Sequence, residues 1–354
     1  MKLKGYIALL VAIVLVLAMV SGCAVQSSPP ETQAATRQIT DMAGRVMYIP
    51  AEVGKVFSTN PISAIYLYTL APGTLLGWNY ELNETERSVI LAPYRDLPNF
   101  GRGDGINFEA VIAAGPDIAL TVTSINQGQI EQADRMAENL GIPVVVVSDR
   151  LEGAPQVYRL LGEILGIEER GEKLAEYAQQ TFDVFAGSHL PEERRVRVYF
   201  GNGEDSLQTA PAGSPHGQLL DMVGAINVAD LELGDGSRMQ ISLEQLLAWD
   251  PDVIIVNGEP TARMRGNDAA EGILNHPDFA TLSAVQNSMV FGIPNAPFSW
   301  VDRPPGPNRI IGVRWLAIKL YPEYFEHDLG EEVREFFRLF YHVELTDAQL
   351  AEIL

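Results

Sequence analysis

Two stretches of this chain, residues 107–118 and 242–253, follow one pattern. Each opens on a residue with a capping side chain, Asn107 or Ser242. Each then places a glutamate, Glu109 or Glu244, eight residues before an aspartate, Asp117 or Asp252, that follows a proline and leads into an apolar run. A side-chain oxygen at the cap accepts from free N–H groups of the first helical turn, and an acid in that turn meets the positive end of the helix dipole. Pro-Asp then turns the chain into a strand. A helix–turn–strand unit used twice predicts two similar α/β halves; two occurrences do not make a repeat array.

The surrounding sequence alternates in the same way. Strand-like runs at residues 53–58, 117–122 and 143–148 and helical spacing at 61–70 and 130–140 fill the first half. The second half has strand-like runs at 196–200, 253–257 and 288–293, with helices at 217–223, 243–248 and from 308 onward. Between them, residues 156–185 read as helix, interrupted near 166–171, and Leu174, Tyr177, Ala178, Phe182 and Phe185 form one apolar stripe. This order predicts an α/β fold with mostly parallel sheet. A length of 354 residues suits two domains of roughly 150 residues each. The expected plan is a first lobe at 37–149, a connecting helical segment at 150–190 and a second lobe at 191–354.

The N-terminus carries an export signal. Lys2 and Lys4 precede an apolar stretch over residues 5–20, and the segment ends Val20-Ser21-Gly22-Cys23. The stretch is short of the roughly 20 residues a membrane span prefers, and no basic cluster follows it. Its last four residues resemble a bacterial lipobox. That implies cleavage after residue 22 and lipid on Cys23. Residues 24–36 are polar with paired prolines and read as a flexible tether. Cys23 is the sole cysteine, so the body has neither an intrachain disulfide nor a thiolate metal site. The formal charge is −21. Such a surface is soluble and repels nucleic acid and anionic lipid.

Catalytic signatures are missing. There is no HExxH, GxSxG, Walker loop or convincing dinucleotide fingerprint, and the five histidines (His189, His216, His276, His327 and His342) show no paired ligand spacing. No enzyme activity, resident metal or cofactor is expected. A rival from another class is an extracytoplasmic hydrolase using carboxylates such as Asp205 or Asp235. A third is a sensory or scaffolding lipoprotein.

The opening Thr40-Asp41-Met42-Ala43-Gly44-Arg45 and Val56-Phe57-Ser58-Thr59-Asn60-Pro61, both glutamate-to-Pro-Asp units, and the run from Leu219-Leu220-Asp221 to Asn227-Val228 carry a family likeness. So does Pro297-Phe298-Ser299-Trp300-Val301-Asp302-Arg303-Pro304-Pro305, followed by Asn308-Arg309-Ile310-Ile311-Gly312. Together they resemble the periplasmic-binding-protein domains that serve ferric-siderophore, haem and cobalamin importers. The late run looks like a subgroup that takes metal chelates or, in some members, molybdate and tungstate. The resemblance covers the chain from about Arg37 to its end. It implies two lobes joined by one rigid helix, a ligand cleft between them, and docking on an ABC permease driven by a cytoplasmic ATPase. It also implies that Glu109 and Glu244 meet permease arginines; placement for the helix dipole alone is the plainer alternative. The ligand expected is an iron–siderophore or related metal chelate, with a molybdate-type oxyanion as the alternative.

Ligands of such sheets sit at strand C-terminal ends. That rule selects Asn60, Trp78, Tyr80, Arg102 and Ser124 in the first lobe, and Asn202, Ser214, His216, Glu259, Trp300 and Arg303 in the second. Ser214 and Pro215 suit a helix start whose N–H groups would hold an anion, with His216 beside it. Arg102 sits among glycines and offers a bidentate cation. Trp78, Tyr80 and Trp300 suit either stacking on a flat chelate or a place in the core. Arg263 and Arg265 read as surface.

Overall fold

The computed structural model describes residues 35–187, 190–232, 238–258 and 264–354. The segments expected to be an export signal and most of a tether lie outside them. A hairpin comes first, β1 (Thr36–Thr40) against β2 (Val46–Pro50). It is anchored by Arg37, whose guanidinium donates to the carbonyls of Glu163 (2.9 Å) and Ile164 (2.7 Å) near a helix end. A cation there also meets the negative pole of the helix. Asp41 then organises the turn. Its carboxylate accepts from the backbone of Ala43, Arg45 and Val146 and from the Arg45 guanidinium.

The first sheet is parallel, in the order β3 (Val56–Ser58), β4 (Ile118–Thr123), β5 (Val144–Ser148). Around it come α1 (Pro61–Leu70), α2 (Glu84–Val89), α3 (Phe108–Ala114) and α4 (Gln127–Leu140). The second sheet has six strands: β6 (Arg197–Asn202), β7 (Gln208–Thr209), β8 (Ile226–Asn227), β9 (Met239–Gln240), β10 (Val253–Val256) and β11 (Val290–Gly292). Its centre is parallel, with β8, β10 and β11 running the same way as β6, while β7 pairs antiparallel to β6. Four valines make β5 a fully buried strand, as a parallel sheet covered on both faces requires.

The twice-used unit is structural in both halves. Asn107 caps α3 by accepting from the Ala110 N–H (3.0 Å), and Ser242 caps α8 (Leu243–Trp249) by accepting from the Gln245 N–H (3.2 Å). Both helices span seven residues and end in the left-handed region, at Gly115 and Asp250. Each aspartate then ties the new strand to its neighbour. The Asp117 N–H donates to the Lys55 carbonyl and its carboxylate accepts from the Lys55 N–H. Asp252 does the same with Arg197.

The expected long connector divides in two, α5 (Ala154–Leu165) and α6 (Glu168–Phe185). Gly166 turns the chain at φ 67°. A Cβ on Gly171 would meet the Tyr158 carbonyl at 2.6 Å and the Gly162 Cα at 2.9 Å, so only glycine lets α6 lie on α5. Next among the described residues come α7 (Gln218–Met222), the α8 already given, α9 (Gly266–Asn275), α10 (Ser283–Gln286) and α11 (Arg309–Leu320). The chain closes with α12 (Leu329–Phe336), a π-turn at Phe337–Tyr341 and α13 (Asp347–Ile353). The π-turn packs on the first half: Tyr341 on Tyr68, and Phe340 on Tyr158 and on Tyr177 of α6. The C-terminal helices therefore brace the junction of the halves as well as the second sheet. Among the described residues, no helix is long and apolar enough to cross a membrane.

Candidate functional site

At the ends of the first sheet, most polar side chains serve the fold. Asn60 caps α1: its oxygen accepts from the Ser63 N–H (3.0 Å) and its amide donates to the Val122 carbonyl (3.0 Å). Ser124, exposed just past β4, donates to the Asp149 carboxylate at 2.8 Å. The Tyr80 hydroxyl donates to Glu86 at 2.7 Å, and the exposed Arg102 lies over its ring, 5.9 Å from the centroid. Burial raises the pKa of Glu86, against the lowering effect of that hydrogen bond.

The second sheet gathers a denser set. Asn202 ends β6 and Asn257 follows β10, and the Asn257 amide donates to the Asn202 oxygen at 2.8 Å. Arg303 donates to the same oxygen at 3.3 Å. Asn257 also donates to Asp302 Oδ1 at 2.6 Å. The other carboxylate oxygen, Asp302 Oδ2, meets Arg238 at 2.5 Å and His216 Nδ1 at 3.3 Å. Ser299 steadies the group, donating to Asn257 and accepting from the Val301 N–H. Burial alone would raise the Asp302 pKa, but the close approach of His216 and the charge of Arg238 outweigh it and hold the carboxyl below its usual range. The remaining N–H groups of this cluster include two buried ones without a partner among the described residues, on Arg238 Nε and Asn202 Nδ2. Two arginines, a histidine and two amides around one buried carboxylate form a donor-rich cluster whose chemistry suits an anion.

Three of the expected ligand residues, Asn202, His216 and Arg303, thus converge. Other expectations need correction. Trp78 is 2 % exposed and Trp300 is fully buried. Their indole N–H groups donate to the Tyr94 and Ala296 carbonyls, so both are core residues rather than stacking walls. Ser214 is buried and does not cap a helix; its hydroxyl accepts from the Gly217 N–H at 3.2 Å within a turn, and α7 begins only at Gln218. The anion-binding helix start expected at Ser214 is therefore absent. Asn60 is committed to its cap and Tyr80 to Glu86. Cys23, Asp235, Glu259 and Arg263 lie outside the described residues. Arg238 and Arg309 were not anticipated. Arg238 gave no local signal because its partner is 64 positions away. Asp302 and Asn257 sat in loops that the strand-end rule had selected.

Glu109 and Glu244 are both exposed, each in the first turn of its helix. The pKa of Glu244 is lowered by its own backbone N–H and by Ser242.

The chain thus has two α/β bodies, with a donor-rich cluster at the strand ends of the second sheet. The sequence profile of the family described as periplasmic binding protein matches residues 77–297, and the chain belongs to that family. The molybdate-binding protein MolA of Haemophilus influenzae is 27% identical over 340 residues, covering 87% of this chain and 91% of MolA. The Fe(3+)-citrate-binding protein YfmC of Bacillus subtilis is 23% identical over 201 residues, covering 55% of this chain and 59% of YfmC. A solved ABC transporter solute binding protein from Sulfurospirillum deleyianum superposes with TM-score 0.80 at 29% identity, covering 90% of this chain and 99% of its own. This is a family of extracytoplasmic transport receptors rather than enzymes.

Proposed function

We propose that this receptor captures an anionic, metal-bearing solute on Asn202, His216, Arg238 and Arg303 and delivers it to an ABC permease. The observation that carries the reading is the convergence of Asn202, His216, Arg238 and Arg303, from four separate segments, on the buried Asp302–Asn257 pair. Donors fixed by the fold need no reordering when the anion arrives, which favours affinity.

Within that class, the burial of Trp78 and Trp300 favours a compact oxyanion of the molybdate type. A haem- or cobalamin-sized ring needs broad apolar faces, and two of the three aromatic candidates are withdrawn. The likeness to MolA supports the same reading. An iron–siderophore or related metal chelate is the second reading. It rests on the same donors, since ferric chelates of carboxylates are also anionic, and on the likeness to YfmC.

Glu109 and Glu244 are the docking points in this account. Exposed ion pairs contribute about 0–1 kcal/mol each, so they orient the receptor rather than hold it. Lipid on Cys23 tethers the body, and the residues between Cys23 and the first strand reach at most about 40 Å. Thermal-shift screening tests the ligand class. Molybdate and tungstate are expected to raise the Tm in a dose-dependent manner. A shift with ferric citrate or a ferric siderophore alone would favour the second reading, and a response only to haem or cobalamin would defeat the compact-anion assignment.

A further inference from the structure

We propose that Arg309 and Gln218 tie the two sheet bodies together and so set the width of the cleft, which makes the pair a determinant of solute size. The solute half of this proposal rests on the function proposed above; the tie does not.

Arg309 is the first residue of α11, where the helix dipole disfavours a cation. It is only 3 % exposed. Taking a guanidinium out of water without an opposite charge is expensive. Asp149, Glu152 and Asp302 lie near enough to attract it, but its hydrogen-bond acceptors are uncharged: the Asp149 carbonyl at 2.6 Å and the Gln218 side-chain oxygen at 3.2 Å. Its Nε is buried without a partner among the described residues. Packing does not require a cation here, since a methionine fills similar space.

The acceptors explain the choice. Asp149 follows β5, and its position is fixed by its N–H donating to the Thr123 carbonyl and its carboxylate accepting from Ser124. Gln218 opens α7 on the second body, and its oxygen also accepts from the Leu151 N–H at 3.2 Å. The guanidinium and the amide therefore form two prongs from the second body to the segment that follows β5. Gln218 lies two residues beyond His216, so movement of the tie is transmitted to the donor cluster. A closed, fixed aperture admits a small oxyanion and resists a bulky chelate.

The test uses the full chain carrying Cys23→Ser, with spin labels on Glu138→Cys and Glu271→Cys. Both sites are exposed, on α4 and α9. Pulsed electron resonance in the absence of solute should give one narrow distance. Arg309→Met should lengthen and broaden it, and Gln218→Ala should do so by less. Gln218→Glu keeps both hydrogen bonds and adds a counter-charge, so it should narrow the distribution. Calorimetry on Arg309→Met should show molybdate affinity reduced about tenfold, as expected for losing charge-assisted bonds, and affinity for ferric citrate reduced less. Unchanged distances in both Arg309→Met and Gln218→Ala would overturn the proposal. Where Arg309→Met fails to fold, the two Gln218 variants decide it. Distances that shift in a protein binding neither molybdate nor ferric citrate would leave the tie standing and overturn the size-selection half together with the proposed ligand class.

Discussion

Asp302 shows how one side chain can organise a site. Its two oxygens receive donors from three segments distant in sequence, and without it His216 and Arg238 would lose their common anchor. Breaking a buried pair from one side is costly because a charge is left unmatched, so Asp302→Asn is expected to lower stability by about 3–5 kcal/mol at neutral pH in chemical denaturation. The pH dependence follows from its depressed pKa. Its contribution is fully present above the ordinary aspartate value of about 3.9 and is lost as pH falls through the lower folded-state value. The unaltered protein should therefore lose stability below about pH 4 more steeply than Asp302→Asn does. Acid titrations with equal slopes would contradict this role.

The helix–turn–strand unit was legible because capping, dipole and turn chemistry act between near neighbours. Asn107, Ser242, Glu109 and Glu244 could be placed from spacing alone. The reciprocal bonds of Asp117 with Lys55 and of Asp252 with Arg197 could not, because they span 62 and 55 positions. The same reason hid Arg238. Trp78 and Trp300 were ambiguous because an indole suits a wall and a core equally until its neighbours are known. Ser214 misled because Ser-Pro fits a helix start, yet the turn Ser214–Gly217 closes before α7. Asp117→Ala should cost about 1–3 kcal/mol in urea unfolding, as two donors lose their acceptor, and the more exposed Asp252→Ala should cost less. Sites this far apart should add in the double variant. Gly171→Ala should also destabilise, by about 1–3 kcal/mol, because the added methyl forces α5 and α6 apart. A neutral effect there would mean the two helices can move apart freely.

On the scale of the whole molecule, two similar halves offer one acidic point each, and the second carries the donor cluster. The π-turn and the C-terminal helices pack on α1 and α6, which argues for small, stiff closure rather than a wide hinge. Paired Glu109→Ala and Glu244→Ala should abolish uptake in cells while leaving solute affinity unchanged; weakened binding instead would remove the docking role. Isothermal calorimetry with molybdate tests the central claim most directly, comparing the unaltered protein with Arg238→Gln. Saturable one-site binding is expected, weakening at least about tenfold when the guanidinium is lost. No saturable heat from molybdate, tungstate or ferric citrate, or an isotherm indifferent to Arg238, would contradict it.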